Sequence, residues 1–303
     1  PPTHHWPPCG QASLPPAAPC HQEELECDVA VVGAGPAGVA AACRASQAGA
    51  RTVVLDEGLS PGGQIHRHLP AAIPPEAARP WLERLARSGA IVRSGASVFD
   101  AVAQDGGWRL SAETSDGPCV VRARRVVLAT GARELFLPFP GWTLPGVMGA
   151  GGAQAMAKAG AALAGRTAVV AGSGPLLLPV AASLAKMGAE VAIVAEQAGL
   201  ASLARFTAAL AGFPGKLLEA ARYRSAFLDT PYRTGTWVAE ARGSDRLEGV
   251  ILTDGAERFE VACDIAAIGY GLVPNTELAR LCGCAVRAGA VAVDARQETS
   301  VAG

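Results

Sequence analysis

The hydrophobic positions of the chain fall into short apolar runs separated by longer stretches of small and polar residues. Runs such as 28–33 and 167–172 consist of consecutive β-branched or small residues, which is typical of strands buried on both faces of a parallel sheet. A small-residue stretch follows each run, ends at Gly49 or Gly188, and predicts a helix. The chain therefore predicts two β-α-β units, whose second strands are expected at 51–57 and 190–196.

Strands of a second kind, with alternating polar and apolar residues, follow each β-α-β unit. In the first half the strands 108–113 and 119–123 flank a Ser-Asp-Gly turn, and an apolar closing strand follows at 125–130. In the second half an apolar closing strand at 264–269 follows the alternating segments 236–241, 247–253 and 258–262. The repeated order predicts an α/β fold with two Rossmann-like domains, each with a parallel sheet, helices and a small antiparallel β-meander.

The duplication divides the chain into three predicted parts. Residues 1–26 are Pro-rich and predict a disordered leader. The first copy is expected to cover 27–145 and, where the chain returns, 271–303. The second copy is expected to cover 146–270, so that one discontinuous domain carries the other as an insertion.

Composition narrows the classes of function. The formal net charge of −1 gives no electrostatic reason to expect nucleic acid or an acidic membrane surface as a partner. The uncharged stretch 167–185 is as long as a membrane span, but its glycines and prolines fit a strand, a turn and a helix better. Because no secretory signal is visible, we expect a cytoplasmic protein without a transmembrane segment.

The cysteine and histidine positions predict no metal site. The eight cysteines include no C-x-x-C pair, which argues against a thioredoxin-type redox disulfide and a standard zinc site. Cys282 and Cys284 supply at most half of a metal site, and reduced thiols are expected. His4, His5 and His21 lie in the leader, where a solvated tail is favoured over metal binding.

The sequence GAGPAG at 33–38, which we call the first glycine loop, lies between the first predicted strand and its helix. Gly33 permits a tight turn, Gly35 lets backbone N–H groups approach a pyrophosphate, and Gly38 lets the helix pack close to the strand. The N-terminus of the helix attracts phosphates. This context predicts a dinucleotide site, with contacts in the loop from Gly33, Gly35, Pro36, Ala37 and Gly38.

An acidic residue completes the predicted dinucleotide site. Asp56 lies 18 residues after Gly38, at the end of the second strand, where a carboxylate accepts hydrogen bonds from ribose hydroxyls. Glu57 is its close competitor, so both are candidate ligands.

Two further segments are expected to contact a bound dinucleotide. In SPGGQIHR, Gly63 and Gln64 suit a loop that lies against a large planar ligand, and His66 either reaches the ring or is exposed to solvent. Thr130 and Gly131 follow a buried strand at its carboxyl end, which is where open α/β sheets bind their ligands.

The sequence GSGPLL, which begins at Gly172 and which we call the second glycine loop, is an altered copy of the first. Gly172 and Gly174 still allow the turn, but Leu177 replaces the third glycine, so the helix is expected to lie farther from the strand. Pro179 costs up to about 3 kcal/mol if it lies past the first helical turn. Glu196 is placed to bind a 2′-hydroxyl, which favours NAD over NADP. Two interpretations of the second glycine loop remain open. Either NAD binds at Gly172, Gly174 and Glu196, or the domain is vestigial and is kept for packing.

A resemblance to a known family covers about 27–303 and is carried by five motifs: GAGPAG, LDEGLSPGGQI, ATGARELFLPFPGWTLPGVMGAGGAQA, GSGPLLLPVA and GYGLVPNTEL. With them the chain resembles the flavoproteins with two dinucleotide-binding domains that are related to pyridine nucleotide-disulfide oxidoreductases. The resemblance is greatest to flavoprotein subunits of hydrogen cyanide synthase, opine oxidase and proline or hydroxyproline dehydrogenases. It implies an NAD(P)-binding-like second domain and a first domain that binds FAD through Gly33, Gly35, Gly38, Asp56, Gly63, Gln64, Thr130 and Gly131.

The chain departs from the pattern of that family in two places. His66 stands where such relatives often have Tyr. The chain also ends at 297–303, whereas the family continues with an Asp that contacts the flavin and, in many relatives, an iron–sulfur region. The resemblance therefore implies weakened FAD retention. No catalytic residue can be named, because Arg133 and Glu134 either approach the flavin or only brace the interdomain linker.

Three functions remain open at this point. The resemblance implies an FAD-dependent oxidoreductase subunit that relays electrons from a partner subunit, which oxidises an amino or imino acid, to an iron–sulfur centre or a respiratory acceptor. Such a protein is cytoplasmic or attached to a membrane through its partners. The first alternative is an NADH-dependent flavin reductase, which needs a working second glycine loop. The second alternative is a nucleotide-binding scaffold without turnover.

Overall fold

The computed structural model describes residues 23–303, and the histidines and cysteines of the leader lie outside these residues. The first half of the chain forms one six-stranded sheet with two helices. Its elements are β1 (Glu23–Val32), α1 (Pro36–Gln47), β2 (Thr52–Asp56), α2 (Arg79–Ala86), β3 (Ile91–Ser94), β4 (Ser97–Gln104), β5 (Gly107–Thr114) and β6 (Gly117–Leu128).

This first sheet has the strand order β3-β2-β1-β6-β5-β4. β3, β2, β1 and β6 run parallel, whereas β4 and β5 are antiparallel additions at one edge. α1 packs on the parallel part, where Val31 and Val54 meet the small side chains of Ala42 and Cys43. Small residues on α1 let the helix lie close to the sheet, which fixes the position of the turn that precedes it.

The second half contains a five-stranded sheet, a three-stranded sheet and most of the remaining helices. Its elements are β7 (Ala132–Glu134), β8 (Val147–Gly149), α3 (Ala150–Lys158), β9 (Thr167–Gly172), α4 (Leu177–Lys186), β10 (Glu190–Glu196), α5 (Leu200–Ala209), α6 (Pro214–Arg224), β11 (Tyr232–Thr234), β12 (Trp237–Arg242), β13 (Gly249–Thr253), β14 (Arg258–Ala262), β15 (Ile265–Gly269), β16 (Leu272–Pro274), α7 (Glu277–Leu281), β17 (Val286–Arg287) and β18 (Ala290–Val291).

All strands of the five-stranded sheet, in the order β11-β10-β9-β15-β8, run parallel. β12, β13 and β14 form the antiparallel meander. α3 and α4 cover one face of the parallel sheet, where Leu177, Val180 and Leu184 are buried against Val170 and Val194. The predicted α/β class with two Rossmann-like units is thereby confirmed.

Several details differ from the sequence prediction, and strands β3 and β4 are among the elements that were not predicted. Residues 23–26, predicted as the end of the leader, belong to β1 because they pair with β6, with Glu23 opposite Cys119. The predicted strands 119–123 and 125–130 are one strand, β6, so the first meander is part of the main sheet. Finally, α5 and α6 were not predicted, since none of their residues is buried and no apolar stripe marks them.

The connection between the two halves is a pair of short antiparallel strands. β7 and β16 pair with Arg133 opposite Val273. The predicted boundaries 145/146 and 270/271 lie one residue before β8 and β16 respectively and remain predictions. No helix within residues 23–303 is both long and apolar enough to cross a membrane.

Candidate functional site

The first glycine loop makes the tight turn that its three glycines predict. Gly33 has a φ of +100°, and a Cβ there would overlap the carbonyl oxygen of Ala129 at the end of β6. A Cβ on Gly38 would overlap the carbonyl oxygen of Gly33. These two glycines are therefore required by the close approach of β1, β6 and α1.

Gly35 has a different role, because it faces open space. It precedes α1 in extended conformation with a φ of −66°, and a Cβ there would meet no atom within 4 Å. The first backbone N–H groups of a helix have no partner within the helix, and Pro36 at the start of α1 lacks an N–H altogether. The open space beside Gly35 and this helix end together suit a phosphate group.

The Asp56 carboxylate accepts a hydrogen bond from the first glycine loop. Its Oδ1 accepts the backbone N–H of Ala34 at 2.7 Å, and its Oδ2 accepts that of Gly58 at 3.2 Å. Asp56 is buried, whereas Glu57 is exposed. A carboxylate has about four acceptor positions, so the Asp56 carboxylate retains capacity for ribose hydroxyls. Of the two predicted acids, Asp56 is the one in contact with the loop; ribose binding remains a prediction for both.

The Gly-Gly-Gln segment lies directly against the first glycine loop. The N–H of Gly62 donates to the carbonyl oxygen of Ala34 at 2.7 Å, and a Cβ on Gly63 would lie 2.8 Å from the Cα of Gly35. Gln64 is exposed, and its Oε1 accepts a hydrogen bond from Arg67 at 2.8 Å. The fold thus brings together the residues predicted to surround one dinucleotide, and their contacts with that ligand remain a prediction.

Thr130 and Gly131 lie beyond the carboxyl end of β6, beside the first glycine loop. Gly131 has a φ of +67° and open space where a Cβ would be. The Thr130 hydroxyl donates to the carbonyl oxygen of Asn275 at 2.8 Å, and the Asn275 side-chain amide donates to the Thr130 carbonyl oxygen at 2.8 Å. Asn275 was missed by the sequence reasoning, because its partner lies 145 residues away.

Arg133 and Glu134 brace the linker, which was one of the two predicted alternatives. Arg133 donates to Asn275 Oδ1 at 2.9 Å and forms an ion pair with Glu277 at 2.7 Å. Glu134 accepts the N–H groups of Gly151 and Gly152, at 2.6 and 3.2 Å, and so caps the N-terminus of α3. Both side chains contact segments of the second half that flank the linker strands, and an approach to a flavin remains a prediction.

The second glycine loop follows a different path. Gly174 has a φ of +102°, whereas its counterpart Gly35 has a φ of −66°. Glu196, which is only 1% exposed, accepts the N–H of Gly174 with Oε2 at 3.0 Å and that of Ala198 with Oε1 at 2.9 Å. Asp56 accepts the N–H one position earlier, on Ala34. In the second copy the acid therefore occupies the N–H of the third loop residue.

The replacement of the third glycine delays the start of the helix in the second copy. α1 begins three residues after Gly33, but α4 begins at Leu177, five residues after Gly172. The buried Leu177 side chain fills the space that a glycine would leave open. Pro179 is the third residue of α4, within the first turn, so the cost expected for a proline past the first turn does not arise.

Tyr232 on the neighbouring strand β11 completes the surroundings of Glu196. Burial, with the Glu196 carboxylate beside it, raises the pKa of the Tyr232 hydroxyl to about 12. No pattern in the sequence marks this neighbour, since β11 is a three-residue strand.

The surroundings of Cys282 disfavour a reactive thiolate. Burial raises the pKa of Cys282 to about 11. Cys284 donates to the hydroxyl of Thr299 at 3.5 Å. Within residues 23–303 no group of three or more His, Cys, Asp or Glu side chains is placed to hold a metal ion.

Comparison with known proteins decides the family. Residues 27–303 match the family described as pyridine nucleotide-disulphide oxidoreductase. The chain belongs to this family. The resemblance inferred from the five motifs is thereby confirmed.

Two curated relatives of this family member are components of named enzymes. The chain is 33% identical over 288 residues to a component of the opine oxidase of Agrobacterium tumefaciens (strain Ach5), covering 85% of this chain and 54% of that protein. It is 34% identical over 271 residues to the HcnB component of the hydrogen cyanide synthase of Pseudomonas aeruginosa, covering 84% of this chain and 58% of that protein. The chain spans just over half the length of these relatives.

Solved structures agree with the fold. Thioredoxin reductase of T. acidophilum matches with a TM-score of 0.67 at 22% identity, covering 91% of this chain and 87% of that one. L-proline dehydrogenase of P. horikoshii matches with a TM-score of 0.62 at 18% identity, covering 91% of this chain and 49% of that one. At these identities the likeness shows the fold alone.

FAD is the cofactor that membership of this family implies, and the first glycine loop fits it. The space beside Gly35 is open, the end of α1 offers N–H groups, and the Asp56 carboxylate retains acceptor capacity. Gly131 leaves room for close approach of a planar ring. The residues of the second glycine loop fit a dinucleotide less well, because Glu196 occupies the N–H of Gly174.

Proposed function

We propose that this chain is a flavoprotein subunit of an FAD-dependent oxidoreductase and that its flavin is reduced from a partner subunit rather than by NADH. The observation that supports this most is the inequality of the two glycine loops. A Cβ would meet no atom within 4 Å at either Gly35 or Gly174, but the N–H of Gly174 is bonded to the buried Glu196. In the first loop Asp56 bonds the N–H of Ala34 instead. The acid therefore occupies the N–H of the second glycine in the second loop but not in the first.

The residues of the first half have separate roles in this proposal. FAD, when bound, supplies the redox chemistry, and the protein supplies position and electrostatics. Gly35 and the N-terminus of α1 hold the pyrophosphate, and Asp56 orients a ribose. Gly131 leaves room for the flavin, because a Cβ there would meet no atom within 4 Å. Gly63 lets its segment lie against Gly35 beside that ligand.

The names of the relatives suggest the class of electron donor. Besides the two proteins above, the alpha chain of the sarcosine oxidase of Corynebacterium sp. (strain P-1) is 29% identical over 276 residues, covering 83% of this chain and 27% of that protein. Opines and sarcosine are N-substituted amino acids. We therefore propose that a partner subunit oxidises an amino or imino acid and that electrons leave to an iron–sulfur centre or a respiratory acceptor.

A cytoplasmic location is part of the same proposal. The six cysteines within residues 23–303 are free thiols, which is usual in a reducing compartment. Attachment to a membrane would then occur through partner subunits.

An NADH-dependent flavin reductase is the second candidate function. The retained Gly172 and Gly174 turn, carried on a fully parallel sheet, supports it. It requires Glu196 to release the N–H of Gly174 so that a pyrophosphate can take its place.

Binding stoichiometry separates the proposals. Apoprotein is titrated with FAD and, once its first glycine loop is filled with FAD, with NADH by calorimetry. We expect one FAD per chain and no heat of binding with NADH. Saturable binding of one NADH would favour the reductase, and the absence of FAD binding would favour a scaffold without turnover.

A further inference from the structure

Four side chains that carry or can acquire positive charge meet where a loop of the first half touches the end of α3. Lys158, the last residue of α3, donates from Nζ to the carbonyl oxygen of Ile65 at 3.2 Å, across 93 residues of sequence. His66, Arg67 and His68 follow Ile65 directly, and His68 Nδ1 lies 2.9 Å from the carbonyl oxygen of His66. We call Lys158, His66, Arg67 and His68 the cationic cluster.

Positive charge in the cationic cluster is uncompensated. Burial, together with the Arg67 guanidinium, lowers the pKa of Lys158. Burial, together with Lys158 and His68, lowers the pKa of His66. In the part of the chain that the structure describes, no ion pair includes a member of the cluster. An anion placed here would remove the mutual repulsion and stabilise the charged forms.

The cationic cluster lies beside the first glycine loop. The turn that precedes it is fixed there, since Gly62 donates to the carbonyl oxygen of Ala34 and Gly63 packs against Gly35. Lys158 in turn holds this segment by its bond to Ile65. The cluster is thus built on the same turn that faces the predicted dinucleotide.

We propose that Lys158, with Arg67 and His66, forms an anion-binding site beside the first glycine loop, for an anionic oxygen group. Two sources present that chemistry: the pyrophosphate of bound FAD and the carboxylate of a small organic acid. The guanidinium and the ammonium bind either as charge-assisted donors. This proposal stands whether electrons arrive from a partner subunit or from NADH.

The test compares five proteins: the wild type, Lys158→Met, Lys158→Arg, Arg67→Met and Lys186→Met. Lys186 is the matched control, because it is an exposed lysine in the last turn of the neighbouring helix α4. The first arm measures the Kd of FAD for apoprotein by flavin fluorescence. The second arm titrates FAD-loaded protein with malonate and follows the visible flavin spectrum. Thermal unfolding of each apoprotein checks that the variants are folded.

We expect Lys158→Met to change either the Kd of FAD or the response to malonate. Lys158→Arg and Lys186→Met should stay close to wild type in both measurements. A Kd for FAD raised about tenfold, the loss expected for a hydrogen bond to a charged group, assigns the pyrophosphate. An unchanged Kd with loss of the malonate response assigns a carboxylate. If Lys158→Met and Arg67→Met both keep the wild-type Kd for FAD and the wild-type response to malonate, the proposal is wrong.

Discussion

Glu196 accepts the backbone N–H of Gly174 at 3.0 Å, whereas Asp56, at the corresponding end of the first half's second strand, accepts the N–H of Ala34 at 2.7 Å. The two acids close the same kind of turn, but at positions one residue apart. This shift coincides with the change of φ from −66° at Gly35 to +102° at Gly174. The N–H of the second glycine is therefore bonded to the acid in the second loop and not in the first.

Replacement of Glu196 should destabilise the second half of the chain. Glu196→Ala leaves the partly buried N–H groups of Gly174 and Ala198 without their acceptor, which costs about 1–3 kcal/mol. Urea unfolding measures the change in the free energy of unfolding. Glu190→Gln, at the exposed start of the same strand, is the control and should stay within about 0.5 kcal/mol of wild type. Equal stability of both variants would show that the Glu196 contacts contribute nothing.

Gly35→Ala and Gly38→Ala should separate binding from folding. A methyl group on Gly35 enters open space, so stability should stay within about 0.5 kcal/mol while FAD affinity falls about tenfold from overpacking against the phosphates. A methyl group on Gly38 overlaps the Gly33 carbonyl and should destabilise the protein by about 1–3 kcal/mol. Thermal unfolding and FAD titration measure both effects. A Gly35→Ala protein with wild-type FAD affinity would contradict the assignment of the open space.

Asp56 and Glu57 make a second matched pair. Asp56→Asn should raise the Kd of FAD about tenfold or more, since a charged acceptor for a ribose hydroxyl is lost. Glu57→Gln should leave it unchanged, because that side chain is exposed and lies outside the contacts of the loop. Fluorescence titration of the apoproteins decides between them, and the reverse order would make Glu57 the ribose ligand.

The His66 imidazole should titrate below its ordinary range. Burial lowers its pKa first, and Lys158 and His68 lower it further, so Lys158→Met should raise the pKa of His66. Because the unfolded chain binds this proton more readily, His66 makes stability rise with pH just below the ordinary pKa of about 6.5. NMR titration of the imidazole measures the pKa in both proteins. A pKa that does not change in Lys158→Met would place Lys158 too far away to act.

The sequence predicted the strands and helices that have a regular hydrophobic pattern and the turns that require glycine. Gly33 and Gly38 were correctly interpreted, because a close backbone approach excludes every other residue and the flanking strand and helix are visible in the pattern. The Glu196–Gly174 bond was not predictable, because it depends on a φ that a glycine is free to adopt. Asn275 escaped notice for another reason: its partners on Thr130 meet it only after the chain returns across the linker.

Anaerobic mixing of FAD-loaded protein with NADH tests the central claim most directly. The flavin absorbance is followed by stopped flow, with dithionite as the control that all flavin is reducible. Because Glu196 is bonded to the N–H of Gly174, we predict that NADH leaves the flavin oxidised over the time in which dithionite reduces it fully. Rapid bleaching by NADH alone, in a saturable reaction, would contradict the account.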